Sequence, residues 1–350
     1  MRRIYKFNLA VACTLLSCSI AMAGNDNRAG QAGASELLIN PWTRSGGWMN
    51  CNIANVRGLE AQFLNVAGTS LTKKTELAFN HTQWFKGSDI NINAFGLSQR
   101  VGESGAISLG IMSMNFGDID ITTVDLPSGG VGTFSPRFLN VALSYSKAFS
   151  NSIYGGVTLK VISESIADVK ASGLAFDAGI QYITGFNKEK NNLKFGIALK
   201  NVGAPLRFNG DGLASKGFTS DNVSLTIAQR SQNFELPSLV SIGGSYDFKL
   251  TELHRLTLAA GFTANSFIKD QTSVGLEYGF KNLFMLRAAY QFEEKGSSKD
   301  ESTNVYSGFG AGLTIEAPIS KSGKTIGIDY SFRPTNTFDG THSFGLIFKL

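Results

Sequence analysis

The chain has 350 residues, 43% of them apolar and 17% charged, with 39 glycines, seven prolines and a formal net charge of +5. Beyond the first two dozen residues no apolar run reaches the ~18 residues that a membrane-crossing helix requires, so a helical membrane protein is excluded. Part of the basic excess belongs to the leader; without its three basic residues the net charge is +2, which gives no case for nucleic acid.

Residues 1–23 read as a removable export signal. Arg2, Arg3 and Lys6 form its basic end, Phe7 to Ile20 its apolar run, and Ala21-Met22-Ala23 its small-x-small cleavage pattern before Gly24. Leu15-Leu16-Ser17-Cys18 is a poor lipoprotein site because Leu16 is too large. Cys13 and Cys18 leave with the leader. Cys51 then stands alone, without a disulfide partner, and reads as a small buried residue.

Residues 24–73 do not alternate. Asn25 to Ala34 is small and polar. Val56 to Leu71 carries Leu59, Phe63, Leu64 and Val66, enough for a short helix. Left outside, Trp42, Trp48, Leu59 and Phe63 would sit in water, so the segment is expected to fold inward as a plug. The bland alternative is a periplasmic tail.

From residue 74 to Leu350 the chain repeats about ten alternating residues and then a polar break. Period two marks strands with one oily face, and about ten residues is what a tilted strand needs to cross a bilayer. The strands are expected near 76–85, 89–99, 105–116, 136–148, 152–166, 173–184, 192–203, 236–248, 254–264, 272–280, 283–293, 303–316, 324–333 and 341–350. In the tenth, Val274, Leu276, Tyr278 and Phe280 share a face opposite Ser273, Gly275, Glu277 and Gly279. The fold class is therefore all-β: a fourteen-stranded antiparallel transmembrane barrel with an N-terminal plug.

Connection lengths test this placement independently. With the first strand running outward, the inner turns are short, and the long segments 117–135, 204–235, 294–302 and 334–340 all fall outside. That sorting puts both termini in the periplasm of an outer-membrane protein. Phe344, Leu346, Phe348 and Leu350 share a face at the chain end, like a C-terminal barrel-assembly signal. Aromatic pairs at strand ends, among them Trp84-Phe85, Tyr145 with Phe149, and Tyr290 with Phe292, suit interfacial girdles.

Charged residues within strands fall mainly on the small-residue face: Lys160, Asp177, Lys194, Lys200, Glu277, Arg287 and Asp329. A mid-bilayer Lys or Arg facing lipid costs about 2–4 kcal/mol, so these charges should point into the lumen. Glu277 and Arg287 share parity across a tight turn and are expected to pair. Asp118, Asp120 and Asp125 lack the spacing of a calcium loop, and Gly308-x-Gly310-x-Gly312 lies in a strand rather than at a strand–helix turn, where it would clear room for a plug. No catalytic set, nucleotide motif or zinc pair is present, so no enzyme, metal or cofactor is expected. Loop aromatics Phe134, Phe208, Phe218 and Phe234, with Arg207, are candidates for docking a partner; the alternative is a loop that folds back over its own barrel mouth.

Several stretches resemble the PorV/PorQ family of the Bacteroidota: Ala29-Gly30-Gln31-Ala32-Gly33-Ala34, Leu64-Asn65-Val66-Ala67-Gly68, Thr75-Glu76-Leu77-Ala78-Phe79-Asn80-His81-Thr82-Gln83-Trp84, and Lys200-Asn201-Val202-Gly203-Ala204-Pro205-Leu206-Arg207-Phe208. The family's Asn-Pro-Ala-Gly plug signature appears as Asn65, Val66, Ala67 and Gly68, with Val66 in place of proline. The resemblance implies relation to FadL-type barrels and a role in type IX secretion. It implies a barrel that binds the C-terminal signal domain of secreted cargo at the secretion pore, or anchors a surface attachment protein. A FadL-like uptake channel for hydrophobic small molecules is the alternative.

Overall fold

Alternation becomes structure as fourteen barrel strands among the described residues. In chain order they are β1 (Thr75–Trp84), β2 (Ile90–Val101), β3 (Gly105–Asn115), β4 (Arg137–Ala148), β5 (Ile153–Ile166), β6 (Val169–Phe186), β7 (Glu189–Gly203), β8 (Leu239–Lys249), β9 (His254–Asn265), β10 (Gln271–Phe280), β11 (Phe284–Glu293), β12 (Phe309–Pro318), β13 (Thr325–Arg333) and β14 (Thr341–Lys349). The computed structural model describes residues 28, 30–186, 189–218, 220–293, 304–320 and 323–350. The leader, the whole connection 294–302 and the expected start of the twelfth strand at 303 lie outside them.

Each strand pairs antiparallel with its sequence neighbours, and β1 closes the cylinder on β14 in a register running from Glu76 opposite Lys349 to Gln83 opposite His342. Closure leaves no open edge for a second chain to pair with. The oily faces point outward: Val274, Leu276 and Tyr278 of β10 are exposed, whereas Ser273 and Glu277 are buried. The exposed Phe149, Tyr145, Phe292 and Tyr290 fit an interfacial girdle. Phe85 does not: it is buried against Trp84, Tyr306 and Phe338 and helps cap the mouth. The sequence shows aromatics near strand ends but not which way a post-strand residue turns.

The N-terminal segment fills the lumen. It is a string of short turns: 3-10 turns at Ser35–Leu38, Cys51–Ala54, Gly58–Glu60 and Val66–Leu71, and two brief helices, α1 (Thr43–Gly47) and α2 (Ala61–Leu64). Trp42 and Leu59 pack with Ala78, Ala94 and Ile347 of the wall, and Trp48, Met49 and Cys51 with Ala259 and Ala289. Wall glycines make this fit. A Cβ on Gly310 would lie 2.6 Å from Met49 Cγ, and one on Gly179 would lie 2.2 Å from Asn65 Oδ1, so a larger residue at either place forces the facing plug side chain to move.

The plug crosses the barrel from end to end. Near its start, Ala32 pairs with Glu235 and Arg28 forms a 2.8 Å ion pair with it, in the long connection between β7 and β8. Leu350 N donates instead to Thr75 O at the short-turn end. The first described residues therefore lie at the long-loop end of the barrel and Leu350 at the short-turn end. An even strand count fixes only where the barrel begins and ends; the lumen gives the preceding 45 or so residues room to climb back.

Candidate functional site

The lumen site is the seam between plug and wall. All seven strand charges singled out from the sequence are buried there. Glu277 and Arg287 face each other in register on β10 and β11 and pair at 3.0 Å. Arg287 also donates to Thr314 Oγ1 at 2.8 Å, and Arg255 to Glu277 at 2.9 Å. Asp329 of β13 accepts from Thr314 and from Arg44 Nε at 3.2 Å. Lys194 pairs with Asp247 at 2.5 Å.

Arg44, on α1, is the plug's link into this network; Glu60 and Glu316 lie 3.7 and 3.6 Å away. Burial works against the Arg44 charge, but Asp329, Glu60 and Glu316 outweigh it and hold its pKa above the ordinary arginine value. Burial pushes Glu60 up to about 7, with Arg44 pulling the other way. Arg44 left no mark in the sequence pattern, because a short turn has no period to show which way a side chain points.

A second cluster sits near the long-loop end. Lys160 pairs with Asp177 at 2.6 Å and donates to Asn201 Oδ1 at 2.8 Å. Register slips at Asp177, where β7 sets both Lys200 and Asn201 against it, and Asn201 takes φ 59°. The slip is a bulge, which re-aims side chains. It lays the Lys200 ammonium 3.7 Å over the ring of Phe63 on α2. Lys200 is buried and makes no ion pair among the described residues. A void of about 40 Å³ adjoins Lys160 and Phe63, walled by Leu37, Trp42, Met112 and Ala142.

The plug motif acts as a clamp. Asn65 Nδ2 donates to Ile53 O at 3.2 Å and to Ile180 O of β6 at 3.1 Å, while its Oδ1 accepts from Ala67 N. Val66 and Ala67 are buried. Gly68 has no room for a side chain, since a Cβ would lie 2.3 Å from Val56 O.

Sequence reasoning missed a carboxyl pair near the mouth. Glu36 of the plug and Glu164 of β5 are both buried and interact side chain to side chain. Burial, then the neighbouring Glu164, pushes Glu36 up to about 8. Cys51, by burial, rises to about 12 and is an inert thiol. Among the described residues no group of three or more His, Cys, Asp or Glu is placed to hold a metal.

The loop candidates divide. Phe208 and Phe234 lie tilted against each other, ring centroids 5.5 Å apart, and pack on the cluster of Ala34, Leu37, Leu206 and Leu236. They fold back over the barrel's own mouth and are half-buried there. Phe134 is half-buried and Arg207 exposed. Phe218 is 70% exposed on a hairpin of Ala214–Phe218 and Ser224–Ala228 that projects from the mouth. Alternation could not separate these rings, because the folded-back and projecting parts have the same glycine- and serine-rich composition.

At the short-turn end, below the plug, a vestibule of about 740 Å³ is lined by Arg57, Lys73, Lys74, Lys194, Asp247 and Arg255, among others.

No protein-family model matches the chain, and no curated protein matches it. Among solved structures it is similar to the toluene transporter TbuX of Ralstonia pickettii, at 13% identity and TM-score 0.53 over 89% of this chain and 97% of that one. It is also similar to the toluene transporter TodX of Pseudomonas putida, at 11% identity and TM-score 0.52 over 85% and 94%. The fold is that of the FadL-like outer-membrane barrels. A TodX variant described as a monoaromatic hydrocarbon channel gives TM-score 0.54 at 11% identity over 87% and 96%. At these identities the likeness is one of fold. All three neighbours are channels or transporters, so a secretion role rests on the sequence resemblance alone.

Proposed function

We propose that this chain is an integral outer-membrane channel for small hydrophobic molecules, gated by its N-terminal plug. The observation that carries the reading is the pocket of Leu37, Trp42, Phe63 and Met112 on the mouth side of the plug, inside a barrel of the same fold as toluene transporters. Its apolar lining with few polar groups is what binds a hydrophobe, and the Lys200 ammonium beside Phe63 would orient a solute with an acidic head. The present void holds about one water, so admission of a solute requires the plug to shift. The clamp at Asn65 and the carboxyl pair at Glu36 are where such a shift starts.

The test is uptake of toluene and of a fluorescent fatty acid by proteoliposomes holding the full mature chain. Flux above that of liposomes with the plug cross-linked to the wall supports the channel; equal flux with and without the cross-link refutes it.

A second reading has its own observation. The projecting hairpin exposes Phe218, Val223, Leu225 and Ile227, as a docking element would. In that reading the hairpin receives the C-terminal domain of a type IX cargo or a surface attachment protein, at or near the secretion pore. Capture of such a domain by the wild type but not by Phe218→Ser supports it; equal capture by both removes the hairpin from the role.

A further inference from the structure

The vestibule at the short-turn end is unbalanced in charge. Its carboxylates are engaged: Asp247 with Lys194, Glu277 with Arg255, Glu316 with Lys349 at 2.8 Å, and Glu60 with Arg44. Glu76 accepts from Leu59 N at 2.9 Å. Four basic side chains on the same cavity, Arg57, Lys73, Lys74 and Lys324, make no ion pair among the described residues.

Arg57 is the centre of the imbalance. It projects from the turn between Cys51–Ala54 and Gly58–Glu60 into the cavity that Lys194, Arg255 and Asp247 also line. Lys194 at 2.5 Å and Arg255 at 3.8 Å already share Asp247. The third cation, Arg57, is exposed to the vestibule; Asp247 attracts it and the like charge of Arg255 opposes it, and it forms no ion pair among the described residues, which leaves its guanidinium open to a bound anion. The planar guanidinium suits carboxylate or phosphate oxygens, which it grips in pairs. Lys73, Lys74 and Lys324 add a basic field that draws anions in. The cavity's ~740 Å³ is the size of a small-molecule site.

We propose that this vestibule is a binding site for a small organic polyanion, carrying two or more carboxylate or phosphate groups, with Arg57 as its principal contact. The site lies on the far side of the plug from the apolar pocket and does not depend on what that pocket admits. Its occupant would touch Arg57, which belongs to the plug, and Lys194 and Arg255, which belong to the wall, so it would hold the plug in its closed seat.

The experiment is calorimetric titration of the full mature chain in detergent with pyrophosphate and with citrate at low salt. Saturable binding of at least one is expected. Arg57→Gln should weaken it about tenfold, the effect of one charge-assisted contact, and salt near 1 M, where the Debye length falls to about 3 Å, should abolish it. Lys216→Gln, on the hairpin at the other end, should leave affinity unchanged. Arg57 makes no hydrogen bond within the plug among the described residues, and unchanged heat-modifiable gel mobility checks that the variant stays folded. No binding of either probe overturns the proposal, as does binding that Arg57→Gln leaves intact. Binding of an acidic hexapeptide with neither small anion assigns the vestibule to a protein partner and overturns the small-molecule reading.

Discussion

Replacing Glu36 by glutamine should remove a pH dependence from the mouth of the barrel. Glu36 is 2% exposed, faces Glu164 and titrates near 8 when folded, against 4.5 when free. An acid whose folded pKa is raised contributes its full stability below the unfolded value. That contribution is lost as pH climbs from 4.5 through about 8, because the unfolded segment releases its proton first. At roughly 1.4 kcal/mol per pH unit, the interval sets a ceiling on the order of 5 kcal/mol. Opening of the 30–40 strap that carries Glu36 should therefore become up to about tenfold easier per pH unit in this window. Hydrogen exchange of that segment, corrected for the intrinsic pH effect, reads the slope directly. Wild type should lose protection between pH 5 and 8, and Glu36→Gln should hold it flat. Identical slopes in the two proteins, or protection that rises with pH in wild type, would refute the reasoning.

Other outcomes follow from the same contacts. Gly179→Val places a Cβ where Asn65 Oδ1 now lies, 2.2 Å away; the barrel should still form, but the plug should be displaced and single-channel conductance should rise. Arg287→Met alone leaves Glu277 short of a buried partner and should cost roughly 3–5 kcal/mol in urea refolding into micelles, much of it recovered by adding Glu277→Gln; additivity in that double-mutant cycle removes the coupling. Phe218→Ser, at a ring that is 70% exposed, should change stability by less than about 0.5 kcal/mol in the same assay.

The barrel was legible because period-two alternation is a property of each strand by itself. Val274, Leu276 and Tyr278 against Ser273 and Glu277 announce two faces before any partner strand is known. The cost of a charge in lipid then turns Lys160, Asp177, Glu277, Arg287 and Asp329 inward, and matched parity alone brings Glu277 to Arg287. The plug was legible only as a need to hide Trp42, Trp48 and Leu59. Its detailed seat was not, since α1, α2 and the 3-10 turns are too short to carry a period. Arg44, Glu36 and the Lys200–Phe63 contact all depend on that seat or on the bulge at Asp177, and a one-residue slip in register leaves no mark on alternation. Composition likewise could not tell that Phe208 and Phe234 turn back while Phe218 projects.

Spin labels placed one at a time along β10, in full mature chain reconstituted into lipid bilayers, give the most direct test of a lipid-facing cylinder with a filled lumen. Collision with dissolved oxygen should be high at Val274, Leu276 and Tyr278 and low at Ser273, Gly275 and Glu277, repeating every second residue. A uniform profile along the strand, or one in which Glu277 meets lipid and Leu276 does not, would contradict it.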